Sequence, residues 1–122
     1  MKKIFQFISL FFLFFLSDLH FLNTQELCVD KLKKIIFDKV FFDEKDVIDA
    51  ISYIRKRSQE IDPEGKGINI IIKDIKKGEY RVTLELSDIP AADLLRYICM
   101  AAELDLRVEQ FAVIISKKQN KK

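Results

Sequence analysis

From Tyr80 to Leu86 the apolar residues Tyr80, Val82, Leu84 and Leu86 alternate strictly with Arg81, Thr83 and Glu85. A two-residue period belongs to a strand with one buried face. After Ser87-Asp88-Ile89-Pro90 the period changes: Leu94, Leu95, Ile98, Ala101 and Ala102 recur at helical spacing. Ser87 and Asp88 are candidate caps for this helix, Pro90 suits a first turn, and Asp93 lies near the positive end of the dipole. Leu106 and Val108, then Val113 and Ile115, return to alternation around Glu109-Gln110-Phe111, which predicts a closing hairpin.

The same two periods occur upstream. Ile36, Val40 and Phe42 predict a strand, and Asp43, with Asp46 three residues on, predicts the cap of a helix. One face of that helix carries Val47, Ile48, Ile51, Ile54 and Ser58, while Asp49, Lys56, Gln59 and Glu60 take the other. Asp62-Pro63 ends it, because proline disfavours helix in the residue before it. Pro63-Glu64-Gly65-Lys66-Gly67 reads as a turn, Ile68 to Lys73 as a β-branched strand, and Ile75 to Glu79 as a hairpin loop into the Tyr80 strand. The predicted fold is α+β, a small β-α-β-β-α-β-β domain over residues 35–117 with two helices packed against small mixed sheets. Residues 25–34, with Leu27 and Leu32 among charges, are a lead-in that the pattern leaves between short helix and irregular chain. Residues 118–122 form a basic tail.

The chain begins differently. Seven of its eleven Phe residues fall within the first 21 positions, where Lys2-Lys3 precede an apolar run from Ile4 to Leu16 broken only by Gln6 and Ser9. A basic start followed by an apolar stretch of about 13 residues is the order of a signal peptide, and a membrane span needs roughly 20. Residues 1–24 are therefore expected to direct export. Ser17 and Thr24 are the only tolerable cut sites, and retention as an N-terminal membrane anchor is the alternative. Cys28 follows Gln25-Glu26-Leu27, not the small residues that lipid attachment requires. In an oxidising compartment Cys28 and Cys99 could pair, but two separate thiols are expected.

Catalytic chemistry finds little support. The only histidine, His20, lies in or just beyond the leader, so the mature chain, apart from that possible remnant, has no histidine for a Ser-His-Asp triad, a Cys-His pair or a zinc site. Gly65-Lys66-Gly67 lacks the spacing of a phosphate-binding loop. Asp43, Glu44, Asp46 and Asp49 cluster at a helix start, where caps and dipole partners belong. With a formal net charge of +2 and a short basic tail that reads as a solvated end, no nucleic-acid partner is expected. No cofactor, no metal and no enzyme activity are expected either, and membrane contact only through an uncleaved leader. The run Phe111 to Ile115 carries no charge until Lys117. Phe111, Ala112 and Ile114 are accordingly the candidate partner edge, open to strand addition or weak self-association.

Val82 to Ser116 resembles the short N-terminal domain shared by secretins and TonB-dependent receptors. Ser87-Asp88-Ile89-Pro90 matches that domain's lead into a helix, Leu94-Leu95-Arg96-Tyr97-Ile98 its leucine-rich helix, and Leu106-Arg107-Val108-Glu109 with Val113-Ile114-Ile115 its terminal hairpin. Val40-Phe41-Phe42, the segment Val47 to Ile54 and the loop Asp62 to Asn69 resemble its first strand, first helix and following loop. The likeness covers roughly Ile35 to Lys117. It implies a periplasmic interaction module, which in secretins docks inner-membrane partners and in receptors relays signals to a regulator. No pore, plug or barrel fits in the remaining residues, so those activities do not carry over. The expectation is an adaptor or component of a secretin-type secretion or pilus envelope system. The alternatives are a fragment of a longer secretin-like protein, or an unrelated exported structural or small-ligand-binding domain.

Overall fold

The computed structural model describes residues 27–119, so the expected leader, His20 and the last three tail residues lie outside the described residues. In chain order the elements are α1 (Cys28–Lys34), β1 (Ile36–Asp46), α2 (Val47–Ile61), β2 (Ile70–Lys73), β3 (Arg81–Pro90), α3 (Ala91–Ala102), β4 (Leu104–Val108) and β5 (Val113–Lys117). This is an α+β fold in the expected order, and the undecided lead-in is a helix.

The strands form two small sheets. β1 and β3 make an antiparallel ribbon, and β5 lies at the centre of a mixed sheet, parallel to β2 and antiparallel to β4. The expected hairpin from Ile68–Lys73 into the Tyr80 strand is therefore corrected, since β2 and β3 belong to different sheets. β1 supplies the better partner for β3: Val40 and Phe42, buried, oppose Leu86 and Leu84 in register. The connection between β2 and β3 instead carries the chain from one sheet to the other, with Asp74 and Gly78 at positive φ.

The helix starts also differ from expectation. Asp46, not Asp43, caps α2: its Oδ1 accepts from the Ile48 N–H at 2.8 Å, and its Oδ2 accepts from the Gly78 N–H. β1 runs past Asp43 because a bulge between Phe42 and Lys45 is pinned to β3, with the Glu44 N–H donating to Thr83 Oγ1 and Arg81 donating to the Glu44 carbonyl. Ser87 and Asp88 are strand residues, and α3 starts after Pro90 with no side-chain cap; the Ala91 N–H goes to the Ile35 carbonyl at 2.8 Å. Asp88 takes φ 50°. Across it the buried phase of β3 changes from even positions, Val82, Leu84 and Leu86, to Ile89, and β1 changes with it from Val40 to Phe37.

α3 packs against its chain neighbours β3 and β4, and α1 packs on α3. The buried side chains of α3 are Ala91, Leu94, Leu95, Ile98, Cys99 and Ala102. Ala101 is exposed, so the predicted stripe is rotated toward Cys99. α2 buries Val47, Ala50, Ile51, Ile54 and Ser58, and Ile48 sits at the margin. Each fully buried Leu, Ile or Phe adds about 1.5–3 kcal/mol of hydrophobic stabilisation.

Candidate partner surface

The strand expected to present an open edge has none. Ile114 faces Ile71 of β2 on one side and Arg107 of β4 on the other. The partner edge assigned to Phe111, Ala112 and Ile114 is thus corrected. An uncharged apolar run reports which faces a strand can bury and not which edges it leaves open, and both edges of β5 are paired. Phe111 and Ala112 lie in the turn before it. Phe111 is half exposed, and its carbonyl accepts from Asn69 Nδ2 at 3.0 Å.

The open edges among the described residues are the outer sides of β1 and β3 in the ribbon and of β2 and β4 in the mixed sheet. Natural sheets guard such edges with bulges, prolines, short strands or charges. β1 has its bulge, β3 has left-handed Asp88 and ends at Pro90, and β2 is only four residues long with its Ile70 carbonyl taken by Arg55 Nη2 at 2.7 Å. β4 has neither bulge nor proline. On the outward face of the ribbon Phe41 is 63% exposed, opposite Glu85 in register.

The most organised polar cluster lies at the end of α2. The Asp62 carboxylate accepts from the N–H groups of Glu64 (3.1 Å), Lys66 (3.2 Å) and Gly67 (2.9 Å), and from Lys31 Nζ at 3.1 Å. Burial pushes the Asp62 carboxyl up, but these donors outweigh it and hold the group below the ordinary aspartate range. Ser58 Oγ donates to the Arg55 carbonyl at 2.7 Å and accepts from the Ile68 N–H at 3.1 Å. The loop is thereby folded around two side chains of α2, and Lys31 fastens α1 to it. The Cys28 N–H, donating to the Gln110 carbonyl at 2.9 Å, fastens the other end of α1.

A depression of about 360 Å³ beside this loop is lined by Cys28, Lys31, Gln59, Lys66, Asn69 and Phe111. By its sequence pattern Asp62 reads as a helix stop. Its place before a proline-glycine turn was the available signal for an acceptor of loop N–H groups, whereas Lys31, 31 positions away, left none.

Among the described residues no group of three or more His, Cys, Asp or Glu could hold a metal. Cys28 and Cys99 are buried free thiols. Burial pushes Cys28 up against the opposing pull of Lys31, and burial, helped by Asp105, pushes Cys99 up to about 11. Both are held as thiols, the unreactive form. Of the acids at the start of α2, Asp46 is the cap and Asp49 lies 3.8 Å from Lys77 Nζ. Lys117 ends β5, with its ammonium 2.7 Å from Glu79.

No family model matches the chain, and no curated protein and no solved structure matches it. No helix among the described residues is long and apolar enough to cross a membrane.

Proposed function

We propose that this chain is a non-catalytic interaction module of the cell envelope, exported to the periplasm, that engages an envelope or secretion-system protein by strand addition. The observation that carries the reading is the set of outer strand edges: among the described residues, two small sheets leave β1, β2, β3 and β4 each with a side unpaired by another strand. Such edges present backbone donors and acceptors to an added strand. The resemblance to the secretin and receptor N-terminal domain supplies the envelope context. It is supported by the order in which β3, ending in Asp88-Ile89-Pro90, α3 and the β4–β5 hairpin follow one another. Phe41, exposed beside the long edge of β1, offers an apolar anchor there.

The reading is tested in the native host. A photo-crosslinking residue at Phe41 of the full chain should form an adduct that mass spectrometry identifies as an envelope protein, and a reporter fused after Lys122 should lie outside the cytoplasm. A cytoplasmic reporter with intact N-terminal peptides, or adducts with cytoplasmic proteins alone, would overturn it.

A further inference from the structure

β4 reads Leu104-Asp105-Leu106-Arg107-Val108 and forms an edge of the mixed sheet. Which of its backbone groups are free follows from the turn. The Glu109 N–H donates to the Ala112 carbonyl at 2.8 Å, and the ladder continues from that pair through Val108 opposite Val113 and Arg107 opposite Ile114. Hydrogen-bonded and non-hydrogen-bonded pairs alternate along an antiparallel ladder. Arg107 and Asp105 therefore turn their N–H and C=O groups toward β5, and Leu104, Leu106 and Val108 turn theirs to the outer edge.

That edge is complementary to itself. Two β4 strands laid antiparallel with Leu106 at the centre bring Leu106 opposite Leu106, Leu104 opposite Val108, and Asp105 opposite Arg107, twice over. The outward-turned groups of Leu104, Leu106 and Val108 fall into hydrogen-bonded pairs in this register. The arrangement has the two-fold axis that an isologous dimer requires.

We propose that β4 is a homotypic contact and that its partner is β4 of a second copy of this chain, joining two three-stranded sheets into one. Directly opposed side chains share a face and interact. The Asp105–Arg107 pairs form on the solvent face, where both residues are exposed. Half-buried Leu106 and Val108, which is 45% exposed, gain apolar neighbours on the inward face. Arg107 already lies 2.8 Å from Glu109 of its own chain, so its guanidinium sits between two carboxylates in the pair. Glu103 leaves the strand at φ 56° and so does not become a rung opposite Glu109. The contact does not depend on the envelope partner proposed above.

Charge reversal tests it on the protein as the cell processes the full chain. In sedimentation velocity the wild type should show a dimer that grows with protein concentration and shrinks with salt. Asp105→Arg and Arg107→Asp each place like charges opposite one another and should weaken self-association roughly tenfold or more. An equimolar mixture of the two variants restores opposite charges at every rung and should regain the wild-type dimer fraction. Unchanged circular dichroism and urea midpoints establish that both variants fold. A wild type that stays monomeric, single variants that associate like the wild type, or a mixture that stays monomeric would each overturn the proposal.

Discussion

Gly67→Ala tests how the turn after α2 is held. Gly67 has φ +70°, and a Cβ on it would lie 2.7 Å from Ser58 Oγ, 2.7 Å from Gln59 Cγ and 2.9 Å from the Gln59 backbone nitrogen. Gln59 can swing its side chain away, but its backbone nitrogen is fixed in α2 and Ser58 Oγ is held by two hydrogen bonds. Left-handed backbone costs an L-residue about 1–2 kcal/mol. Displacing Ser58 also breaks the bond that its Oγ accepts from the buried Ile68 N–H, worth about 1–3 kcal/mol when the donor is left unpaired. The expected loss is roughly 2–5 kcal/mol, a large part of the roughly 5–15 kcal/mol that holds a small domain together. Gly65 provides the control, because its φ is +73° and nothing lies within 4 Å of its Cβ position. Gly65→Ala should cost only the backbone share, about 1–2 kcal/mol. Urea unfolding of both variants, followed by circular dichroism, measures the difference. Equal losses within about 0.5 kcal/mol would show that the close approach to α2 contributes nothing.

Other perturbations address the rest of the fold. Leu95→Ala, at a fully buried position of α3, should cost roughly 2–5 kcal/mol in chemical denaturation, and a loss near zero would mean that the helix phase is wrong. Glu103, in the left-handed conformation at the end of α3, should gain about 0.5–1 kcal/mol on replacement by glycine; a lower urea midpoint would refute this. Asp62 has a folded pKa below its unfolded value, so its contribution is complete above the ordinary aspartate range and is lost as pH falls through the folded value. Urea midpoints of the wild type should therefore fall more steeply below about pH 4 than those of Asp62→Asn, and parallel profiles would contradict the assignment. Cys28 and Cys99 should resist a thiol reagent at pH 8 until the chain is unfolded, and rapid labelling of the native protein would show that α1 opens.

The fold was most legible where periodicity and burial coincide. The alternation from Tyr80 to Leu86 and the Leu94, Leu95, Ile98 stripe located β3 and α3, and the pattern around Glu109-Gln110-Phe111 located the β4–β5 hairpin. Strand partners were less legible, because period two says which face is buried and nothing about which edge is paired. Hence the run before Lys117 read as an open edge when it is the centre of a sheet, and Ile75 to Glu79 read as a hairpin when it joins two sheets. Boundaries failed where tertiary contacts outweighed local signals. Asp43 has the residue type of a cap, but Thr83 and Arg81 bind the backbone of Glu44 and extend the strand to Asp46. The Lys31–Asp62 pair was unreadable because nothing local links a lead-in lysine to a loop on the far side of α2.

The central position of β5 also sets an order of assembly. Domains form progressively as the chain emerges, and parallel pairing between distant strands is slow because loop closure precedes any gain. β1 and β3 can zip into their ribbon early, whereas β2 and β4 have no ladder until Val113 to Lys117 arrives between them. The growing chain is therefore held back from its native state until its last strand is made. A polypeptide interrupted before Val113 would expose two orphan apolar strands, an invitation to aggregation and to quality-control proteolysis in place of a half-working product.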